Sequence, residues 1–220
     1  MDAALRRAWT EIVTPDDYEQ HMAAIGQAQA AAELTGVLLS AAGLAPGERV
    51  AIVGAGTGQV FDFLSPDTVL PYRLVCTDLN AAYLARLRGR LQRGGIEAAI
   101  AVDDLERSAL GAGIALIIAT LVLEHIDWRR GVAELARLSP RICGVILQEN
   151  PAGMASAVTP GRRLPASLAQ AVETAHPVLV PGEELTAAMS VCGYRLRKSD
   201  VREVADGKRL AALLFAQKAQ

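Results

Sequence analysis

Four apolar residues, Val50-Ala51-Ile52-Val53, run straight into Gly54-Ala55-Gly56-Thr57-Gly58. A short apolar run that ends at turn signals reads as a buried strand, and glycines after it allow a tight turn and close approach of the backbone to a ligand. The pattern predicts a nucleotide-type turn at the end of a first strand. Strand-like runs follow at 74–77, 98–102, 114–118 and 142–147, separated by helical stretches at 81–92 and 128–138. Leu84, Leu87 and Leu91 fall at helical spacing in the first of these, and Gly94-Gly95 closes it. Repeated strand and helix alternation calls for a mostly parallel sheet covered on both faces, the doubly wound arrangement. A helix at 183–191 and strands at 194–198 and 210–215 complete the chain, the last two close enough in sequence to pair antiparallel.

With 220 residues, 51% of them hydrophobic, the chain can build one substantial core. A net charge of -2 gives no general attraction to nucleic acid or to an anionic membrane. Cys76, Cys143 and Cys192 lie far apart without a CxxC pair, so core filling is expected and neither a disulfide framework nor a metal site is. The amino terminus lacks the apolar centre of a secretory signal and no apolar run could span a bilayer, which predicts a cytoplasmic protein. Alanine, glutamine and leucine without proline predict helix over 16–42, within a helical amino-terminal extension at 1–47. The cofactor-binding domain is expected at 48–220. Within it, Pro151, Gly153, Pro160, Gly161, Pro165, Pro177 and Pro181 punctuate an insertion at about 150–182, expected to hold a short helix at 166–174 and to lie over the edge of the sheet.

Asp78 ends the second predicted strand, where its carboxylate can accept hydrogen bonds from both hydroxyls of a ribose. The glycines read GxGxG, and Gln59 stands where a dinucleotide fingerprint requires a small residue. Asp103-Asp104 follows the third strand. The ordered set VAIVGAGTGQ, LVCTDLN, AIAVDDLERSAL and IALIIATLVLEHI resembles the class I S-adenosylmethionine-dependent methyltransferase family, over residues 48–147 and more weakly through the last two strands. The resemblance implies a Rossmann-like seven-stranded sheet with an antiparallel carboxyl-terminal strand and S-adenosyl-L-methionine as cofactor. It also implies that Gly54, Ala55 and Gly56 line the methionine and ribose portion, that Gly58 of the same turn belongs to the cofactor-binding set, and that Asp78 holds the ribose. Leu79 would pack on adenine, Asp104 would accept from the adenine amine with the Leu105 backbone facing the ring, and Asp103 would substitute on a one-residue slip. Thr120 would lie near the sulfonium. Ala115 departs from the family, many members of which carry aspartate there.

Transfer from an activated sulfonium needs alignment above all, so a dedicated base is optional. His125, Glu124 and Glu149 are positional candidates should the acceptor need to lose a proton, and none is assigned as catalytic. Tyr18 and His21 fall on a helix able to cover the cofactor, Trp9 and Trp128 are candidates for an acceptor pocket, and Arg162-Arg163 for an anionic group. The expected activity is methyl transfer to a small molecule, with an oligomer compatible. A noncatalytic cofactor-binding or assembly subunit and, with less support, a nicotinamide-dependent oxidoreductase are the alternatives.

Overall fold

In the central strands, alternate side chains feed opposite faces of one sheet, and both faces are covered by helices. The chain's computed structural model describes residues 3–159 and 161–218; Met1, Asp2, Pro160, Ala219 and Gln220, which fall within the predicted extension, insertion and tail, lie outside it. Its strands are β1 (Arg49–Val53), β2 (Arg73–Asp78), β3 (Ala98–Val102), β4 (Leu116–Thr120), β5 (Ile142–Glu149), β6 (Tyr194–Glu203) and β7 (Arg209–Gln217). They form one seven-stranded sheet in the order β3-β2-β1-β4-β5-β7-β6. Only β7 runs against its neighbours, as expected for the carboxyl-terminal strand. From β1 the order proceeds to β2 and β3 on one side and to β4 and β5 on the other, which opens a crevice at the carboxyl ends of β1 and β4.

Val50 and Ile52 pack with helices α3 (Gln27–Ala42) and α4 (Ala81–Arg93) on one face. Ala51 and Val53 pack with α5 (Trp128–Leu138) and α7 (Gly182–Val191) on the other. This is the period-two division of a strand buried on both sides. Asn80 caps α4 by accepting the Ala82 and Tyr83 amides, and Asp127 caps α5 by accepting those of Arg129 and Arg130. Buried Cys76 and Cys143 fill the core as expected, and Cys192 is half-buried. Among the described residues no helix is long and apolar enough to cross a membrane.

Three expectations are corrected. The helix predicted at 16–42 is two helices, α2 (Pro15–Ala24) and α3, because Gly26 adopts a left-handed φ of 71° that no α-helix continues through. The fourth strand begins two residues later than predicted: Ile114 and Ala115 are buried, but the ladder to β1 starts at Val50 opposite Leu116. The insertion does not lie over the sheet's edge. Its helix α6 (Ala166–Val172) sets Leu168 and Ala171 in a cluster with Leu5, Ala8 and Val13 of the amino-terminal segment, above the carboxyl ends of the central strands.

Candidate cofactor and acceptor site

The turn after β1 needs its glycines for three different reasons. Gly54, Gly56 and Gly58 all have positive φ, at 66°, 57° and 80°. A Cβ on Gly54 would stand 2.8 Å from Val122 Cβ, and one on Gly56 3.2 Å from the Tyr18 hydroxyl. Both of these glycines border the cavity at the carboxyl ends of the central strands. Gly58 and Ala55 face away from it toward α3, and a Cβ on Gly58 would overlap Leu87 of α4. Gly58→Ala is therefore expected to destabilise the fold by about 2–4 kcal/mol through backbone strain plus overlap. Gly95→Ala, at φ 64° with open space around it, should cost only about 1–2 kcal/mol, for strain alone. Urea unfolding of the two variants measures the difference.

Asp78 sits at the end of β2, beside the turn. Its Oδ2 accepts the Gly56 N–H and its Oδ1 the Asn80 N–H, both at 2.9 Å, and each oxygen keeps a lone pair for a ligand. Burial raises its carboxyl above the ordinary range, against the pull of these backbone donors. Asp103 and Asp104 also border the cavity but are turned differently. Asp103 accepts from the Ser108 hydroxyl at 2.6 Å and from the Ala109 N–H at 2.8 Å, closing the following turn. Asp104 accepts the Glu106 N–H and forms an ion pair with Arg6 of the amino-terminal helix. Burial alone would raise the Asp104 carboxyl, and the Arg6 guanidinium holds it below its usual value instead. Leu79, Leu105 and Thr120 complete this end of the cavity.

Helix α1 (Ala3–Arg7), the single π-helical turn Ala8–Ile12 and α2 form a roof over the strand ends. Asn80 Nδ2 donates to the Trp9 carbonyl at 2.7 Å and the Tyr83 hydroxyl donates to the Val13 carbonyl at 3.2 Å. Arg90 clamps Glu19 of α2 at 2.6 Å and donates to the Thr57 carbonyl at 2.8 Å, tying roof, glycine turn and α4 together. Ser167 of the insertion receives the Thr14 N–H and donates its own amide to Asp17. The space enclosed measures about 180 Å³. Tyr18, His21 and Trp9 face it from the roof, while Ala157, Val158, Ala171, Val172, Ala175 and Pro177 close it from the insertion.

The proton-transfer candidates separate cleanly. Glu124 and His125, in a short turn after β4, line the cavity; Glu149 does not, and pairs with Arg209 at 2.6 Å. His125 Nδ1 accepts the Trp9 indole N–H at 3.1 Å, and burial lowers its pKa to about 4, so the ring is neutral at pH 7. Arg162 is paired with Asp206 at 2.7 Å, and Trp128 packs in the core beneath Arg129. Leu121, within the 120–125 stretch that the resemblance places near the sulfonium, and Gln148, not singled out from sequence, also border the site. Leu121 has φ 51°, a strained value for leucine, just where β4 ends at the cavity. Gln148 donates its backbone N–H to Glu124 at 2.8 Å and receives the Gln27 side chain at 3.0 Å. Leucine and glutamine at strand ends carry no distinguishing sequence signal.

Asp78 supplies two acceptors for vicinal hydroxyls, the Gly54 and Gly56 positions have no room for a side chain, and among the described residues no lysine or arginine lines the cavity. These features suit a nucleoside carrying a positive charge.

Comparison with known proteins agrees. Residues 52–140 match the family model described as a methyltransferase domain. Magnesium protoporphyrin IX methyltransferase from Synechocystis PCC 6803, determined with bound SAH, aligns with a TM-score of 0.67 at 14% identity, covering 86% of this chain and 83% of that one. A S-adenosylmethionine-dependent methyltransferase from Clostridium acetobutylicum ATCC 824 aligns at 0.61 and 9% identity over 86% and 91%. The [4+2]-cyclase SpnF aligns at 0.60 and 15% identity over 84% and 82%. At these identities the structural likeness establishes the fold alone. No curated protein matches the chain significantly.

Proposed function

We propose that this chain, whose residues 52–140 match a methyltransferase-domain model, is a class I S-adenosylmethionine-dependent methyltransferase that methylates a small molecule held between the strand ends and the roof. The observation that carries this reading is the Asp78 carboxylate, held by the Gly56 and Asn80 amides at the mouth of the crevice beside β1. When bound, S-adenosylmethionine supplies a methyl group already activated by its sulfonium charge. Asp78 would hold the ribose hydroxyls, and Gly54 and Gly56 would admit the methionine and ribose backbone, with Ala55 between them turned toward α3. Leu79 and Leu105 would flank adenine. Asp104 would accept from the adenine amine beside the Glu106 N–H and Arg6 that it already binds, with Asp103, which carries one donor on each oxygen, as the alternative. Thr120 would lie toward the sulfonium. Gly58, expected among the cofactor-binding residues, would serve the packing against α4 instead of touching the cofactor.

The acceptor would enter from the side of the insertion, where the walls are apolar and uncharged apart from Glu124. A cytoplasmic location fits the three free thiols, the state a reducing compartment maintains. Calorimetric titration with S-adenosylhomocysteine tests the donor half of the proposal without knowledge of the acceptor. Saturable one-to-one binding, with reduced nicotinamide dinucleotide failing to compete, is the expected result; tighter binding of the dinucleotide would overturn it.

A further inference from the structure

Glu124 remains unused by the nucleotide. It is 3% exposed, lines the cavity, and accepts the Gln148 N–H at Oε1, while its Oε2 is buried with no partner. A buried carboxylate oxygen without a partner is costly unless a proton or a ligand occupies it. The Gln148 side chain cannot serve, being committed to Gln27, Asn150 and the Ala157 carbonyl. The same cavity is lined by Ile126, Val158, Val172, Ala175 and Pro177 and by the polar side chains of His21, Gln27 and His125.

Resting on the methyl-transfer reading, we propose that Glu124 Oε2 takes the proton from a neutral, mostly apolar acceptor carrying a weakly acidic hydroxyl of the phenol class. The acceptor oxygen forms its bond to the methyl carbon as the carbon–sulfur bond breaks with its electron pair left on sulfur. The hydroxyl proton passes to Glu124 and from there to water on product release. An anionic acceptor is disfavoured because the cavity offers it acids and, among the described residues, no lysine or arginine. An ammonium acceptor is disfavoured because it has no lone pair until it has fully lost a proton, and because it would sit beside a sulfonium. A phenol oxygen has its lone pair available, and its proton can leave during the transfer, a task that suits a carboxylate.

Burial pushes the Glu124 carboxyl up to about 7, where a base is both deprotonated and proton-accepting near neutral pH. Burial also lowers His21 and His125, which stay neutral there, and raises Tyr18 and Tyr83, which stay protonated. Asp78, Asp103 and Asp104 lie at the nucleotide end.

The test uses the full chain, E124Q, and two phenols of different acidity, para-cresol and para-nitrophenol, first titrated into the S-adenosylhomocysteine complex and then assayed as acceptors. E124Q is expected to lower kcat for para-cresol about a hundredfold. At about pH 9, where para-nitrophenol is already ionised and has no proton to give, E124Q should not lower its rate, and loss of the facing negative charge should raise it if it changes at all. Affinities for S-adenosylhomocysteine and for bound para-cresol should stay within about threefold of wild type. Should E124Q not fold, the wild-type kcat for para-cresol still reports, rising with pH through a midpoint near 7. Equal loss on both phenols, a wild-type profile flat through that range, methylation confined to amines such as benzylamine, or a nucleotide complex that binds no phenol would overturn the assignment alone. Failure of the folded wild type to bind S-adenosylhomocysteine would overturn the donor reading and this assignment with it.

Discussion

Replacing Asp78 with alanine is expected to weaken S-adenosylhomocysteine binding by about a hundredfold or more. Two hydrogen bonds from ribose hydroxyls to one carboxylate are charge-assisted, at about 1.5–3 kcal/mol each, and a loss of about 3 kcal/mol is a factor of more than a hundred. The same substitution strips the acceptors from the Gly56 and Asn80 amides, so the turn could loosen for reasons unconnected with a ligand. Asp78→Asn separates the two effects. Asparagine keeps one acceptor oxygen for one of those amides but loses the charge and turns its NH2 donor against the other, so it should bind at least about tenfold more weakly than wild type and unfold at a lower temperature than wild type but above that of Asp78→Ala. Calorimetry on both variants, with circular dichroism to confirm folding, measures this. Wild-type affinity in folded Asp78→Ala would remove Asp78 from the site and with it the observation on which the donor reading stands.

The parts of this site that depend on strand ends were legible in the sequence, and the parts that depend on distant pairings were not. Asp78 follows an apolar strand and could be placed at the sheet's carboxyl edge by counting, as could the glycine turn after β1. That Gly58 answers to Leu87, 29 positions along the chain by residue number, is a packing fact that no local pattern encodes. The break at Gly26 was missed because an isolated glycine in a helical composition is ordinarily tolerated, and only its left-handed φ ends the helix. Proline spacing marked 150–182 as irregular. It carried no information on where that segment docks, which Leu168 and Ala171 decide by meeting Leu5 and Ala8. Glu124, His125 and Glu149 were equivalent as letters. Arg209 removes the last by pairing with it, Trp9 engages the second, and the first is left with an unpartnered oxygen.

That oxygen gives Glu124→Gln a second expected consequence, in stability, that needs neither donor nor acceptor. In the unfolded chain a glutamate titrates near about 4.3, whereas in the fold burial raises Glu124 to about 7. Between these values the native state binds a proton that the unfolded state does not, so wild-type stability contributed by this group falls as pH rises through that window and levels off above it. At about 1.4 kcal/mol per unit, the loss by pH 8 approaches about 4 kcal/mol. Glutamine can still accept the Gln148 amide and has no charge to bury. Its advantage over wild type should therefore be small near pH 4.5 and grow to about 8–16 °C of Tm at pH 8 for a chain of this size. Burial lowers His125 to about 4, which acts with the opposite sign, its contribution being lost as pH falls below about 6.5. It does so in both proteins, and the difference between their unfolding curves cancels it. A Tm difference that does not change between pH 5 and pH 8 would mean that Glu124 carries no extra proton in the fold, and the carboxylate would then be too weak a base for the role assigned to it.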